Sequence, residues 1–447
     1  MKLKKILISI LVLAVVLTFA GCGGSSGNRP DKDDKVSSEN TDSNNKNEPV
    51  TIKLAIMGEG QNKENTQKIL DKFNQENPDI KAEVQYVPVT SGSGWNDFFT
   101  KIKTMVAGGN PPDLAFVAIE GIQMFVNLGL AVPLDEYFDK NPEQLKEAKD
   151  DIHPKLQAPF IVNGKTYALV CEWNNVVLHM NTKLLEDAGL ELPPQDWDKD
   201  MFLDYCSKLT KTEGGQKQYA VAVPAYYFGF SSWLFNNNAS VLNEDMTKCT
   251  LNQPNSVEMF QFWQDMVNKY EYAAMPEPGV DDIQRLVDGQ VAMGSWGRWP
   301  TLTYINNDFK DAAVQYLPKF KSKNVIYGSG GFCVINGTKH PYEAMKTAVW
   351  TAGEYFVKNY YSAGSIPCRK SVAEEVIPKL GIPENHELYY KSADYAKPVE
   401  SPPAYAEIAN VFDRYLSAVL TNEMSAQEAM DKATEEIDNV LEQSPIK

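Results

Sequence analysis

The sequence predicts an α/β protein with a largely parallel sheet, and three observations carry that expectation. Ile52, Leu54 and Ile56 alternate with polar residues, the period of a half-buried strand. An amphipathic stretch with Ile69, Leu70 and Phe73 on one face follows and ends at Asn77-Pro78, and Val84 to Val87 returns to strand character. Strand, helix and strand in succession make a βαβ unit, whose two strands run parallel.

The pattern continues along the chain. Trp95, Phe98, Phe99, Ile102, Met105 and Val106 recur at helical spacing, so their rings are expected in a core. Gly108-Gly109-Asn110-Pro111-Pro112-Asp113 breaks that helix, and Leu114 to Ile119 is a continuous apolar strand. Asn163-Gly164 marks a tight turn. Thr166 to Cys171 and Val176 to Met180 read as strands separated by the acid–aromatic pair Glu172-Trp173. A helix with Leu184, Leu185 and Ala188 on one face is capped by Gly189, and Pro193-Pro194 prevents its return. Further on come a helix from Met201 to Thr210, a strand from Tyr219 to Val223 and an aromatic cluster from Tyr226 to Phe235. Ser256 to Tyr270 is a helix, and Val291-Ala292-Met293 is a strand running into Gly294-Ser295-Trp296-Gly297-Arg298-Trp299. Pro300 is expected to stop that strand. Val314 to Leu317 and Gly328 to Ile335 follow as strands. Tyr342 to Tyr355, Tyr405 to Leu420 and Ser425 to Leu441 read as helices.

Composition narrows the function. The chain has 447 residues, a formal net charge of −16 and 43% hydrophobic residues. Sizeable cores are therefore available, and a nucleic-acid partner, which needs a basic footprint, is excluded. Lys2, Lys4 and Lys5 precede an apolar run from Ile6 to Ala20, shorter than the ~20 residues of a membrane span. Residues 1–21 thus read as a signal peptide. Residues 22–49 are rich in Gly, Ser, Asn and Asp and read as a disordered tether. Cys171, Cys206, Cys249, Cys333 and Cys368 lie far apart, as do the four histidines. No metal-ligand spacing appears, no metal or cofactor is expected, and disulfide pairing is not deducible. There is no G-x-S-x-G elbow, Walker loop or H-E-x-x-H, and Gly328-Ser329-Gly330-Gly331 lacks dinucleotide spacing, so no enzyme is expected.

Several stretches carry a resemblance. Gly164 to Trp197 has the order G-K-x-Y, apolar run, N-x-K-L-L, G-L, P-P-x-x-W. The break at 107–113, the Gly129 to Asp135 segment and the Ala292 to Trp299 segment, A-M-x-x-x-G-x-W, accompany it. Together they resemble the sugar-binding, maltodextrin-binding-like solute-binding proteins of ABC importers, over roughly residues 50–445. Thr18-Phe19-Ala20-Gly21-Cys22 is similar to a bacterial lipobox, with Phe19 where Leu is usual.

The resemblance implies a two-lobe periplasmic-binding-protein-like fold with three chain crossings between lobes. Residues 50–170 plus 314–362 would form one lobe, and 171–313 plus 363–447 the other. It implies a monomer lipid-anchored through Cys22 on the extracellular face of the cell membrane. Such a protein captures a small oligosaccharide and delivers it to the permease subunits. A non-sugar solute on the same fold, or a secreted carbohydrate-active enzyme, is the alternative.

Open α/β sheets bind ligands beyond the carboxyl ends of their strands. That rule singles out Glu59, Asn62, Glu120, Glu172, Trp173, Tyr226, Tyr227, Trp296 and Trp299, and Arg369 stands by the expected last crossing. Carboxylates and amides match sugar hydroxyls, and aromatic faces cover the C–H faces of a pyranose. Glu172 and Trp299 match ligand-contacting positions of maltodextrin binders. Loop or core roles stay open for each candidate.

Overall fold

Two mixed sheets, each layered with helices, account for most of the computed structural model, which describes residues 48–58, 63–89, 94–277, 279–361 and 363–446. The signal segment, Cys22, Glu59 and Asn62 lie outside the described residues.

The first sheet has the strand order Ile366–Pro367, Val170–Asn175, Val325–Ile335, Leu114–Ala118, Val50–Met57, Ile80–Val87. The βαβ expectation holds: Val50–Met57 pairs in parallel with Ile80–Val87, with the helix Lys63–Glu76 between them in sequence. That helix buries Ile69, Leu70 and Phe73. Leu114–Ala118 is buried at every residue, because a strand at the centre of a sheet layered with helices is covered on both faces. Val325–Ile335 runs antiparallel to both of its main neighbours.

The second sheet has the order Ala273–Ala274, Gln216–Ala222, Val291–Trp296, Val177–Asn181, Ala312–Gln315. Asn163 and Gly164 both have positive φ, as a two-residue hairpin turn requires, between the short paired strands Ile161–Val162 and Lys165–Thr166.

The chain passes between the sheets at Val176, between Gln315 and Val325, and again after Pro367. The last passage reaches the second sheet through a bridge of Ala313 with Glu384 and returns at Ala396–Pro398, which pairs with Val325–Ile335. The expected limits at 170/171 and 313/314 each fall inside a strand that stays whole in one sheet. The helices Tyr405–Leu420 and Ala426–Gln443 close the chain.

Candidate binding site at the crossing strands

Ala118, Gly330 and Glu172 stand abreast on three adjacent strands of the first sheet. Cross-strand neighbours share a face, and so does Phe116, two residues before Ala118. A Cβ on Gly330 would lie 2.2 Å from Phe116 Cζ and 3.3 Å from Glu172 Oε1. A Cβ on Gly328, two residues earlier, would lie 3.6 Å from both Glu120 Oε1 and Phe228 Cε2. The two glycines thus form a bare floor on which two carboxyls and two rings stand. Trp95 stacks on Phe116 with ring centroids 5.5 Å apart and extends that wall.

Burial dominates the electrostatics. Glu172 is 8% exposed, and its Oε2 has no hydrogen-bond partner. Desolvation raises its pKa to about 7; a hydrogen bond from Ser365 opposes the shift, and the charge of Glu120 adds to it. Glu120 opens the helix Ile119–Asn127, and desolvation likewise raises it to about 7. Burial raises the Tyr405 hydroxyl, and the nearby Glu120 and Tyr226 add to that. Burial also raises Tyr360, with smaller contributions from Tyr86 and Glu172. The structure therefore brings Glu120, Glu172 and Tyr226 into one neighbourhood with Phe228, Tyr360 and Tyr405.

A second group comes from the other sheet. The strand Val291–Trp296 ends at Trp296, and Pro300 opens the helix Pro300–Asn306 instead of stopping the strand. Trp299 is half-buried and lies over Gly297, where a Cβ would stand 2.2 Å from the indole and 2.9 Å from Asn175 O. The Arg298 amide donates to Asn174 Oδ1 at 2.9 Å, and the Arg298 guanidinium donates to Ser365 O. The turn bearing Trp299 is thereby fastened to the first crossing and to the Ser365 segment that bonds Glu172. His179 supports it from below, with Nε2 2.7 Å from Gly297 O and Nδ1 3.0 Å from the Tyr304 hydroxyl. Burial lowers the His179 pKa to about 4. The neutral ring then donates from Nε2 and accepts at Nδ1.

Four sequence candidates are engaged with the protein itself. Trp173, next to Glu172, projects from the opposite sheet face, is 2% exposed and meets Tyr327 edge-on. Tyr227 packs against Tyr405 and Phe412. Trp296 is buried edge-on to His179. The buried Arg369 guanidinium bonds Ala352 O at 2.7 Å and pairs with Glu147 and Asp151. The five described cysteines are buried and unpaired.

Sequence reasoning passed over Gly328, Gly330, Phe228, Tyr405 and His179. The glycines offered a signal, alternate residues of a predicted strand lacking side chains. Phe228 stood in the aromatic cluster from Tyr226 to Phe235, and Tyr405 and His179 had no signal beyond composition.

A cavity of about 960 Å³ adjoins this floor through Ile119, which stands 3.8 Å from a Cβ on Gly328, and is lined also by Ile122, Phe235, Leu242, Tyr327, Lys397 and Glu400. It contains none of the sequence-predicted residues, and it lacks the unpartnered buried acid of the glycine floor.

Two sheets joined by repeated chain passages, with acids and aromatics at the crossing strands, define a two-lobe binding-protein fold. A family model described as bacterial extracellular solute-binding protein matches residues 68–383, and the chain belongs to that family. An ABC substrate-binding protein from Listeria monocytogenes, solved in complex with cycloalternan, superposes with a TM-score of 0.76 at 24% identity, covering 89% of this chain and 100% of that one. The sn-glycerol-3-phosphate-binding periplasmic protein of Pectobacterium atrosepticum is 23% identical over 84% of this chain and 88% of its own length. A Brucella abortus protein is 26% identical over 54% of this chain, and the chain spans only 55% of that relative's length. Among the described residues no helix is long and apolar enough to cross a membrane.

Proposed function

We propose that this protein is the solute-capturing component of an ABC importer and takes a small oligosaccharide between its lobes. The observation that carries this reading is the glycine floor, with Glu120, Glu172 and aromatic rings on it at the strand that leads into the first crossing. Carboxylates accept hydroxyl hydrogen bonds, and ring faces suit the apolar faces of sugars. The lobes are the two sheets with their helices, divided at Val176, within 316–324 and after Pro367. Lobe closure by a hinge at these passages would enclose the ligand, and the permease would receive the closed form. The sugar-bound Listeria relative supports the substrate class. A phosphorylated solute, which the Pectobacterium relative's name suggests, fits less well because two carboxylates would face its negative charge. Cys22 would carry the lipid that holds the protein on the outer face of the membrane, and the protein would act as a monomer without chemistry of its own.

Calorimetry against di- to penta-saccharides tests the substrate class. Silence across the panel with binding of an unrelated solute would overturn it. Release of hydrolysis products, followed by chromatography, would make the protein an enzyme. Retention of a Cys22→Ala variant at the membrane would refute the anchor.

A further inference from the structure

We infer that the solute seated between Glu120 and Glu172 carries a protonated amine, so that amino-sugar saccharides bind ahead of neutral ones. This inference rests on the proposed binding role of the glycine floor and goes beyond it by naming the charge of the ligand.

Three observations lead here. First, the two carboxyls share one floor, and neither takes part in an ion pair among the described residues. Cys171, Cys368, Tyr360 and Tyr361 feel the charge of Glu172, and Glu172 and Tyr405 feel that of Glu120; the cation next along the network, Arg298, is bonded to Ser365 O, one residue removed from the Glu172 carboxyl. No Lys, Arg or His forms an ion pair with either carboxyl among the described residues. Second, Glu172 Oε2 is buried without any partner, although the residue is more than nine-tenths removed from solvent. Third, the neighbouring walls are aromatic: Trp95 stacks on Phe116, Phe228 stands beside Gly328, and Tyr405 lies near Glu120 and Tyr226.

Paired acids left without a counter-cation in a desolvated place are costly. A sugar hydroxyl supplies a hydrogen bond but no charge that would favour the ionised carboxyls. An ammonium group supplies both its donors and the missing charge, and aromatic faces attract it through their quadrupoles. The raised carboxyls, at about 7, hold protons near neutral pH in the free protein. An arriving cation favours their ionised form, so binding should release protons to the buffer.

The test uses the full chain and matched saccharides that differ in an amine for a hydroxyl. Suitable pairs are 2-amino-2-deoxyglucose against glucose, the β-1,4 glucosamine dimer against cellobiose, and aminated against plain maltose. Titration calorimetry near pH 6.5, in two buffers of different ionisation enthalpy, reads both affinity and proton release. The expected result is binding of an amine form about tenfold or more tighter than its hydroxyl partner, the scale of one charge contact. It should come with proton release, and the preference should collapse towards parity in Glu120→Gln and Glu172→Gln. Equal or tighter binding of the neutral partner would overturn the amine inference and leave the oligosaccharide reading standing. Binding of no saccharide by a folded protein would overturn both.

Discussion

Gly330 and Glu172 face one another across two antiparallel strands, and a methyl group on Gly330 would reach to 3.3 Å from Glu172 Oε1 and 2.2 Å from Phe116 Cζ. The missing side chain is what leaves room above the sheet. Gly330→Ala should therefore push Phe116 aside and crowd the carboxyl. We expect ligand affinity to fall about tenfold or more, with a stability cost of about 1–3 kcal/mol, the usual range for overpacking. Calorimetry and apo melting read the two effects separately, and unchanged affinity would remove the floor from the binding site.

The buried acids give a pH prediction with a definite sign. Glu172 is raised from 4.5 to about 7 in the folded protein by desolvation, against the hydrogen bond from Ser365. Between those values the folded state holds a proton that the unfolded state has lost. Glu172 therefore costs increasing stability as pH rises through that window, and the cost levels off above about pH 7. Glu172→Gln should be more stable than the parent protein at pH 8, by on the order of 3 kcal/mol, and close to it at pH 4.5. An equal difference at both pH values would show that Glu172 is not desolvated. Comparing the variant with its parent cancels the buried His179, which acts in the opposite sense at low pH.

Arg369 separates a structural role from a binding role. Its guanidinium is buried with Glu147, Asp151 and Ala352 O. Arg369→Ala should lower stability by about 3–5 kcal/mol, as loss of a buried charge partner does, and leave saccharide affinity of the folded fraction within about threefold. A large affinity loss with unchanged melting would return Arg369 to the site.

The chain's periodicities made its architecture legible, and its site much less so. The first parallel pair, the Asn163-Gly164 turn and the buried strand at Leu114 depend on local patterns, and the structure has all three. Lobe limits were harder, because apolar alternation does not say which sheet a strand joins; Val170–Asn175 continues the first sheet although it follows a loop. Site residues suffer from the same ambiguity at single-residue scale. Glu172 and Trp173 are neighbours in sequence, yet strand alternation sends one to the glycine floor and the other into the core. Tyr405 comes close to Glu120 from 285 positions further along the chain, a proximity that only the tertiary fold creates.

Trp296 and Trp299 lie three residues apart and should behave as opposites. Trp296 ends its strand, is 8% exposed and packs edge-on against His179. Trp299 is half-buried over Gly297, on a turn held by Asn174 Oδ1 and by His179 through Gly297 O. Removing the Trp296 ring leaves a core cavity, so Trp296→Ala should cost about 3–5 kcal/mol of apo stability. Removing the Trp299 ring takes away a partly open aromatic face. Trp299→Ala should weaken saccharide binding by about 2 kcal/mol, as loss of an aromatic anchor does, with a much smaller change in apo melting. His179→Ala connects the two, because it leaves Trp299 in place and removes the bond that fixes Gly297. Its affinity loss should be smaller than that of Trp299→Ala and accompanied by lost stability. The decisive comparison is apo melting beside calorimetry for all three variants. If Trp299→Ala destabilises the apo protein as much as Trp296→Ala while affinity holds, Trp299 belongs to the core and not to the binding surface.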